Sequence, residues 1–516
     1  MLFDFWSDVR CAVRKLVSTP SFSLVVVATL ALSIAVNTTM FSAIDAILFQ
    51  PMQARNPEQL VAIFSSTTEP APFKSSSFLD YLDIKNRSSH VLSGLAAYTL
   101  DTADLKLGAR AQHIAVGFVS GNYFSVLGIQ PFLGRAFSPN EDELSNPQPL
   151  AILSSSLWRS EFAADPGIVG RPIRLNNQSF TVIGVLDDRY SRVRHFFHVD
   201  LFVPATAKDL LFEQHNLVSR EATQFFLIGR LAPGVRLAPA QAKLNLIAEE
   251  LHRQSPKIWT NERGQPATIT ALRERDARVP PQARTGVMAF SVFLLAIVAM
   301  VLFVACSNLA SLFLARALDR ESEIAVRMAL GSTRFRLIRQ LLTESLILSA
   351  VGTTVALVLT DLASRLLTAY RPPTEIALGL DLRIDYRVLL FTLFITLLTT
   401  ILFGLAPALH ATRPDIVSAL RATAATGHSR RFSLRKLLII AEVAASFVLL
   451  VPAGLFLRSL QSFEAFDLGF NRDHLALVTM TLPAEKYSAA RGDLPPIFSP
   501  RIMRLSPHFL RPVVVA

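Results

Sequence analysis

The side chains that could support catalysis or metal binding are few and scattered in this sequence. The acidic run Glu141-Asp142-Glu143 could supply a metal ligand or a general base, and His195 and His198 flank two phenylalanines. Pro and Asn residues surround the acidic run, which favours a solvated loop, and the histidines fit a surface or strand edge better than a metal site. The sequence contains no G-x-x-x-x-G-K-[ST], H-E-x-x-H or G-x-S-x-G motif. We therefore predict no enzymatic activity and no catalytic, metal or cofactor site in this chain.

A charged segment between two long apolar runs is the strongest functional signal. Within residues 316–337, apolar and charged positions recur at helical spacing, and Glu323 and Arg327 form a favourable i,i+4 pair. Gly331 is placed to end this helix in the left-handed conformation. The pattern predicts a short amphipathic helix over 319–330 that is tightly joined to the next apolar run. Such a helix could carry force.

The elements that position this segment are membrane spans. Hydrophobic residues make up 51% of the chain and charged residues 18%, which indicates an integral membrane protein. Five apolar stretches approach or exceed the roughly 20 residues that cross a bilayer. The predicted segments are an amphipathic helix (1–20), a first span (21–48), an external α+β domain (49–286), a second span (287–315), a cytoplasmic loop (316–337), a third span (338–369), an external link (370–387), a fourth span (388–410), a cytoplasmic linker (411–436), a fifth span (437–458) and a tail (459–516).

The basic residues set the predicted orientation. The net charge of +11 could indicate nucleic-acid binding, but the basic residues crowd the ends of the spans, where the positive-inside rule accounts for them. That rule places the N-terminus, the 316–337 loop and the 411–436 linker in the cytoplasm. Cys11 and Cys306, the two cysteines, fall beside or within spans and provide no disulfide framework. We expect a multi-pass membrane protein, with lipid rather than nucleic acid as a partner.

Polar residues inside the spans have two interpretations. Asn37-Thr38-Thr39 in the first span and Ser307-Asn308 in the second could line a substrate pathway or could join neighbouring helices. We favour contacts between helices.

The segment over 49–286 has the pattern of a folded domain. Residues Gln178 to Val185 read as a strand, whereas Ala238 to Arg253 carry apolar residues at helical spacing, namely Ala240, Leu244, Ile247 and Leu251. Turn residues such as Pro233-Gly234 separate these elements. An α+β domain inserted between the first two spans is therefore predicted.

Several motifs resemble the FtsX/MacB family of ABC transporter permeases. The cytoplasmic loop, Glu323 to Arg334, and the adjoining Ile338 to Glu344 resemble the FtsX-like membrane domain. Motifs of the inserted domain resemble the MacB-type periplasmic core domain: Ser120 to Gly128, Gly134 to Phe137, Leu153-Ser154 with Leu157-Trp158, Asp165 to Arg171, Thr181 to Val185 and Gly229 to Val235.

The resemblance implies a location in the bacterial inner membrane, a mechanism and a set of partners. A separate cytoplasmic P-loop ATPase would bind ATP and Mg²⁺ in trans, and its closure would be transmitted through the membrane helices to the periplasmic domain. A homodimer or heterodimer of permeases is expected, and a periplasmic adaptor would accompany an exporter. The residues that the resemblance places on the ATPase-facing surface are Glu323, Ile324, Arg327, Met328, Leu330, Gly331 and Arg334.

The fifth span and the residues after it resemble the start of a second repeat in a two-repeat subgroup of these permeases. The resemblance persists to about Tyr487, and the remaining residues are rich in proline. A truncated second repeat is the expectation from this pattern.

Three functions remain open from the sequence. The first is export or extrusion of a drug, peptide or lipoprotein, driven by the separate ATPase. The second is FtsX-like signalling across the membrane that activates a cell-wall enzyme, and the third is a non-functional remnant.

Overall fold

A computed structural model describes residues 10, 14, 17–50, 52–66, 73–108, 110–193, 197–212, 216–261, 264–319, 334–369, 384–401 and 434–464. These residues form two compact units. A helical unit contains the described residues within 1–46, 288–370 and 381–467, and a second unit within 47–287 contains a sheet.

Apolar helices come first and last in chain order, and the shorter helices of the sheet-containing unit lie between them. They are α1 (Pro20–Leu48), α2 (Phe78–Arg87), α3 (Tyr123–Leu127), α4 (Ser155–Phe162), α5 (Lys208–Phe212), α6 (Leu237–Gln254), α7 (Glu274–Ala277), α8 (Pro281–Asp319), α9 (Arg334–Ala369), α10 (Tyr386–Thr400) and α11 (Leu434–Glu464).

The strands all belong to the inserted domain. They are β1 (Leu60–Ser66), β2 (Leu92–Leu107), β3 (Arg110–Val119), β4 (Leu133–Gly134), β5 (Asp142–Glu143), β6 (Asn146–Pro147), β7 (Leu150–Ser154), β8 (Pro172–Leu175), β9 (Gln178–Leu186), β10 (Arg192–Val193), β11 (Phe197–His198), β12 (Leu201–Pro204), β13 (Phe226–Leu231) and β14 (Thr268–Arg273).

Four helices in the described part of the chain are long and apolar enough to cross a membrane. They cover Pro20–Leu48, Pro281–Phe313, Ile338–Leu367 and Ile439–Ser462. Helix α10 is apolar but has 15 described residues, and the remainder of the predicted fourth span lies outside the described residues. Helix α8 runs from Pro281 to Asp319 and so exceeds the predicted span 287–315 at both ends. Its longer start is consistent with Pro281, which suits the first position of a helix.

Polar side chains within the apolar helices join neighbouring helices, as predicted. Asn37 Nδ2 on α1 donates to the Val298 carbonyl on α8 at 3.0 Å, and the hydroxyls of Thr38 and Thr392 are 3.2 Å apart. Ser307 is buried, whereas Asn308 is exposed. The prediction for Asn308 is therefore wrong within the described residues, because adjacent helical residues point about 100° apart.

Small and apolar residues allow the helices of this unit to pack closely. Leu30 and Ile34 of α1 are buried against Leu309 of α8 and Ala356 of α9. A Cβ atom added at Gly352 of α9 would lie 3.0 Å from Leu30 Cβ. The absence of a side chain at Gly352 thus allows α1 and α9 to approach closely at this point.

One mixed sheet forms the framework of the inserted domain. Its strand order is β14-β1-β13-β2-β3-β12-β7-β9-β4, and β8 pairs with both β2 and β9. β12 runs parallel to β3, and β7 runs parallel to β9, whereas the other pairs are antiparallel. The 16-residue strand β2 pairs with β13 near its start and with β8 near its end. It therefore connects the two halves of the sheet.

Separate apolar clusters cover the sheet. Helices α2 and α6 contribute Phe78, Tyr81 and Leu244 to one cluster, and α4 packs Leu157 against Phe180 in another. The predicted strand is β9, and the predicted helix is α6, whose four expected apolar residues are all buried. The predicted fold class, a helical membrane protein with an inserted α+β domain, is confirmed.

Candidate functional site

The predicted coupling surface lies largely outside the described residues. Helix α8 ends at Asp319 and α9 begins at Arg334, so the segment 320–333 connects two membrane-length helices. The structure shows Arg334 as the first residue of α9. The other predicted residues fall within the connecting segment: Glu323, Ile324, Arg327, Met328, Leu330 and Gly331. Their assignment remains a prediction.

The first turns of α9 combine basic and polar side chains. Arg336 is exposed, and Glu344 is buried. The hydroxyls of Thr343 and Ser345 donate to the carbonyls of Arg339 and Leu341, four residues earlier, at 2.9 and 3.1 Å. The two hydroxyl groups are thus satisfied within the helix. Arg336 and Glu344 are among the charged side chains in this part of α9.

The motif Ser120-Gly121-Asn122 is a structural junction of the inserted domain. The Asn122 side-chain oxygen accepts hydrogen bonds from the Ser120 hydroxyl at 2.8 Å and the Tyr81 hydroxyl at 3.2 Å. Its Nδ2 donates to the Leu95 carbonyl at 2.8 Å. A Cβ atom at Gly121 would lie 2.5 Å from the Ser138 carbonyl oxygen. The residue types of this motif are thus explained by hydrogen bonding and close packing.

The acidic run is built into the domain, and the solvated-loop prediction is wrong for two of its residues. Glu141 accepts two hydrogen bonds from the Arg135 guanidinium, at 2.9 and 2.7 Å, and one from the Ser138 amide. The Arg135 bonds lower the pKa of the Glu141 carboxyl. Asp142 accepts from the amides of Gly121 and Thr206, each at 3.0 Å. These carboxylates fix loops by accepting hydrogen bonds.

The Asp142 carboxyl group is a weaker acid than an ordinary aspartate. Burial raises its pKa to about 6, although the two amide hydrogen bonds act in the opposite direction. Glu143 is exposed, so it alone matches the solvated-loop prediction.

A serine, a histidine and an aspartate lie together but lack the geometry of a catalytic triad. Ser156 Oγ lies 3.1 Å from His198 Nε2, and Asp200 Oδ1 lies 3.7 Å from the same nitrogen. In a triad, the serine and the carboxylate contact opposite ring nitrogens. Within the described residues, no group of three His, Cys, Asp or Glu side chains could hold a metal ion. His195 lies outside those residues.

Arg230 attaches the chain that leaves α1 to the sheet. From β13, its Nε donates to the Val126 carbonyl at 2.8 Å, and its Nη1 approaches the Asn56 carbonyl and Gln59 Oε1 at 3.3 Å each. This guanidinium belongs to the motif Gly229 to Val235. The motif therefore joins the start of the inserted domain to helix α3 and strand β13.

Family comparisons identify both parts of the chain. A model described as "MacB-like periplasmic core domain" matches residues 23–247, and one described as "FtsX-like permease C-terminal" matches residues 295–416. The chain is a permease of the FtsX/MacB type. Its large inserted domain is thus of the MacB-like periplasmic core type, called the core domain below, and the permease is a multi-pass membrane protein of the ABC transporter class.

Curated relatives include longer proteins. The permease is 25% identical over 303 residues to "Macrolide export ATP-binding/permease protein MacB" of Escherichia coli K12, which covers 58% of this chain and 42% of the relative. The same description, identity and coverage apply to the protein of Shigella flexneri. The match thus spans less than half the length of these relatives.

Solved structures similar to this chain include two domains from outside the cytoplasm. The periplasmic region of MacB from Actinobacillus actinomycetemcomitans covers 45% of this chain and 92% of its own, at 15% identity and a TM-score of 0.32. The extracellular domain of the transporter YknZ from Gram-positive bacteria covers 41% and 99%, at 14% identity and a TM-score of 0.30.

Buried charged residues are the feature that sequence patterns did not predict. Asp142 gave no signal beyond its acidic neighbours. Glu274 and Arg278, whose side chains are 6% and 10% exposed, stand four residues apart, a spacing that could have indicated an ion pair on one helical face.

Proposed function

We propose that this permease couples ATP hydrolysis by a separate cytoplasmic P-loop ATPase to a conformational change of its periplasmic core domain. The change would drive export or extrusion of a substrate such as a drug, peptide or lipoprotein. The observation that carries the proposal is the presence of both family matches in one chain, a MacB-like periplasmic core domain followed by an FtsX-like membrane domain. The sequence has no P-loop motif, so ATP and Mg²⁺ would be bound by the partner.

The segment 320–333 is the proposed contact with the ATPase. Its charged and apolar residues at helical spacing fit a groove on a partner protein, and Gly331 would end the helix just before α9. Because α8 and α9 flank the segment directly, a displacement there would move two membrane helices. This arrangement requires that the N-terminus and the segment face the cytoplasm.

Dimerisation and further partners complete the proposal. A second permease copy, or a related permease, would provide the second contact for an ATPase dimer. A periplasmic adaptor would connect the core domain to the path of an exported substrate.

The test is co-purification of the full chain with its ATPase, followed by measurement of ATP turnover. Arg327→Glu reverses a charge within the proposed contact, and Gly331→Pro prevents the left-handed ending. Each change should lower association or ATP turnover in the complex by roughly tenfold, the equivalent of a contact worth about 1.4 kcal/mol. Arg365→Glu is the control, because Arg365 is an exposed residue near the opposite end of α9. If both loop variants behave like this control, the proposed contact is wrong.

A further inference from the structure

One guanidinium joins the two ends of the core domain. Arg278 follows α7, and its Nε and Nη2 donate to the two carboxylate oxygens of Glu274 at 3.2 and 3.3 Å. Its Nη1 donates to the carbonyl of Leu48 at 3.4 Å. The side chains of Arg278 and Glu274 are 10% and 6% exposed. This ion pair is therefore buried and directional.

The Leu48 carbonyl lies at the C-terminus of α1. Leu48 is the last residue of α1, and the final carbonyls of a helix have no partner within it. A cation at this end also interacts favourably with the helix dipole. Arg278 thus caps the C-terminus of a membrane-length helix while Glu274 holds its guanidinium in place.

The same residue is closely attached to α8. Only Val279 and Pro280 separate Arg278 from Pro281, the first residue of α8. Two consecutive prolines have fixed φ angles, which makes this connection stiff. Arg284 in the first turns of α8 lies 3.6 Å from Asp276 of α7. This ion pair places the start of α8 beside α7.

Helix α7 continues the connection into the sheet. It follows β14 directly, and β14 pairs with β1 from Val61 to Ser66. A small cavity of about 30 Å³ lies beside Glu274 and Arg278, which is room for about one water molecule. The pair is suited to holding segments together.

We propose that Glu274 and Arg278 form a clasp that makes the end of α1, the start of α8 and the β14–β1 edge move as one element. The inference rests on the proposed function, because it assigns the residues that pass motion from the membrane helices to the core domain. Glu274 acts by orienting Arg278, and Arg278 makes the contact with α1. Both are positioning residues.

Hydrogen–deuterium exchange on the full chain with its co-purified ATPase tests the clasp. Exchange in β14 and β1 is compared without nucleotide and with ATP plus vanadate. In Arg278→Lys a single ammonium cannot hold both carboxylate oxygens and the Leu48 carbonyl, and in Glu274→Gln the guanidinium loses its charged partner. Arg275→Gln is the matched control, since Arg275 is adjacent in sequence and its side chain is exposed.

The nucleotide-dependent change in exchange of β14 and β1 should be present in the wild type and in Arg275→Gln. It should fall at least about threefold in both clasp variants, while the ATPase still co-purifies and exchange without nucleotide in α6 stays unchanged. A full nucleotide response in both clasp variants overturns the clasp and leaves the proposed function intact. No nucleotide response in the wild type overturns the proposed function, and the clasp with it.

Discussion

Arg220 provides the sharpest test of how the core domain is held together. Its Nη1 donates to Asp80 Oδ1 at 2.6 Å, and its Nη2 contacts Asp83. Trp259 Nε1 also donates to Asp80 Oδ1, at 3.3 Å. The Asp80 side chain is 4% exposed and that of Arg220 is 24% exposed. The guanidinium therefore attaches the segment before β13 to α2 and shields a buried carboxylate.

Arg220→Met should destabilise this domain strongly. The substitution preserves much of the apolar stem but leaves the Asp80 carboxylate with the indole N–H and without a cation. Breaking a buried ion pair by removing one partner costs about 3–5 kcal/mol. We expect the lower end of this range, about 3 kcal/mol, because partial exposure of Arg220 allows water to reach the carboxylate.

Arg253→Met is the control for the same chemical change at an exposed pair. Arg253 lies 2.9 Å from Glu250 on α6, and their side chains are 72% and 39% exposed. Exposed pairs of this kind contribute at most about 1 kcal/mol. In addition, Asp80→Asn combined with Arg220→Met should cost less than the sum of the single changes by about 1–3 kcal/mol, because the stranded charge is gone.

Native-state hydrogen exchange of the full chain in detergent measures these effects. The opening free energies of amides in α2 and α6 report on the domain in each variant. The reasoning is refuted if Arg220→Met lowers these free energies no more than Arg253→Met does, or if the two changes at Arg220 and Asp80 are additive.

Three further predictions concern acidity, packing and helix contacts. The pKa of Asp142 is raised from 3.8 to about 6, so the folded state holds a proton that the unfolded chain releases. The contribution of Asp142 to stability should therefore be largest below about pH 4 and should fall by roughly 3 kcal/mol in total as the pH rises to about 7. Denaturation of Asp142→Asn across this range should show that slope removed, and an unchanged slope would contradict the assignment. Gly121→Ala should lower the free energy of unfolding by at least about 2 kcal/mol, because the added Cβ would lie 2.5 Å from the Ser138 carbonyl oxygen. Gly286→Ala is the control, since a Cβ there meets nothing within 4 Å, and it should be neutral or stabilising by up to about 1 kcal/mol. Equal effects of the two changes in thermal unfolding would exclude the packing explanation. Asn37→Leu should lower stability in detergent by about 1 kcal/mol, because it removes the hydrogen bond to the Val298 carbonyl on α8. Thr29→Val is the control, since the Thr29 hydroxyl donates to the Val25 carbonyl within the same helix. Equal stability of these two variants would show that the contact between helices is unimportant.

Local sequence pattern was sufficient to predict the elements with the clearest periodicity. Strand β9 and helix α6 follow from alternation and from apolar residues at helical spacing, both of which depend only on neighbouring residues. The apolar length of the spans likewise predicts α1 and α8. The end of α8 was harder to place, since residues 316–319 carry charges typical of a loop and yet continue the helix.

Burial of individual charges could not be predicted in the same way. Asp142 is held by Thr206, 64 residues away, and Arg278 reaches Leu48, 230 residues away. An acidic run beside prolines has the composition of a loop whether or not backbone amides from distant residues donate hydrogen bonds to its carboxylates. Asn308 shows the complementary limit, because sequence places it in a span but does not say which face of α8 is covered.

The two proposed contact points lie at opposite ends of one helix. Helix α8 has 39 residues, which at 1.5 Å per residue gives a length of about 58 Å. Its single proline, Pro281, is the first residue, so no proline interrupts its hydrogen bonds. The clasp at Arg278 precedes its start, and the segment 320–333 comes after its end. Helix α8 continues from the junction at Arg278 to the start of the segment 320–333 with no proline after its first residue, and this continuity is why we propose that the buried pair at Arg278 serves transmission as well as stability.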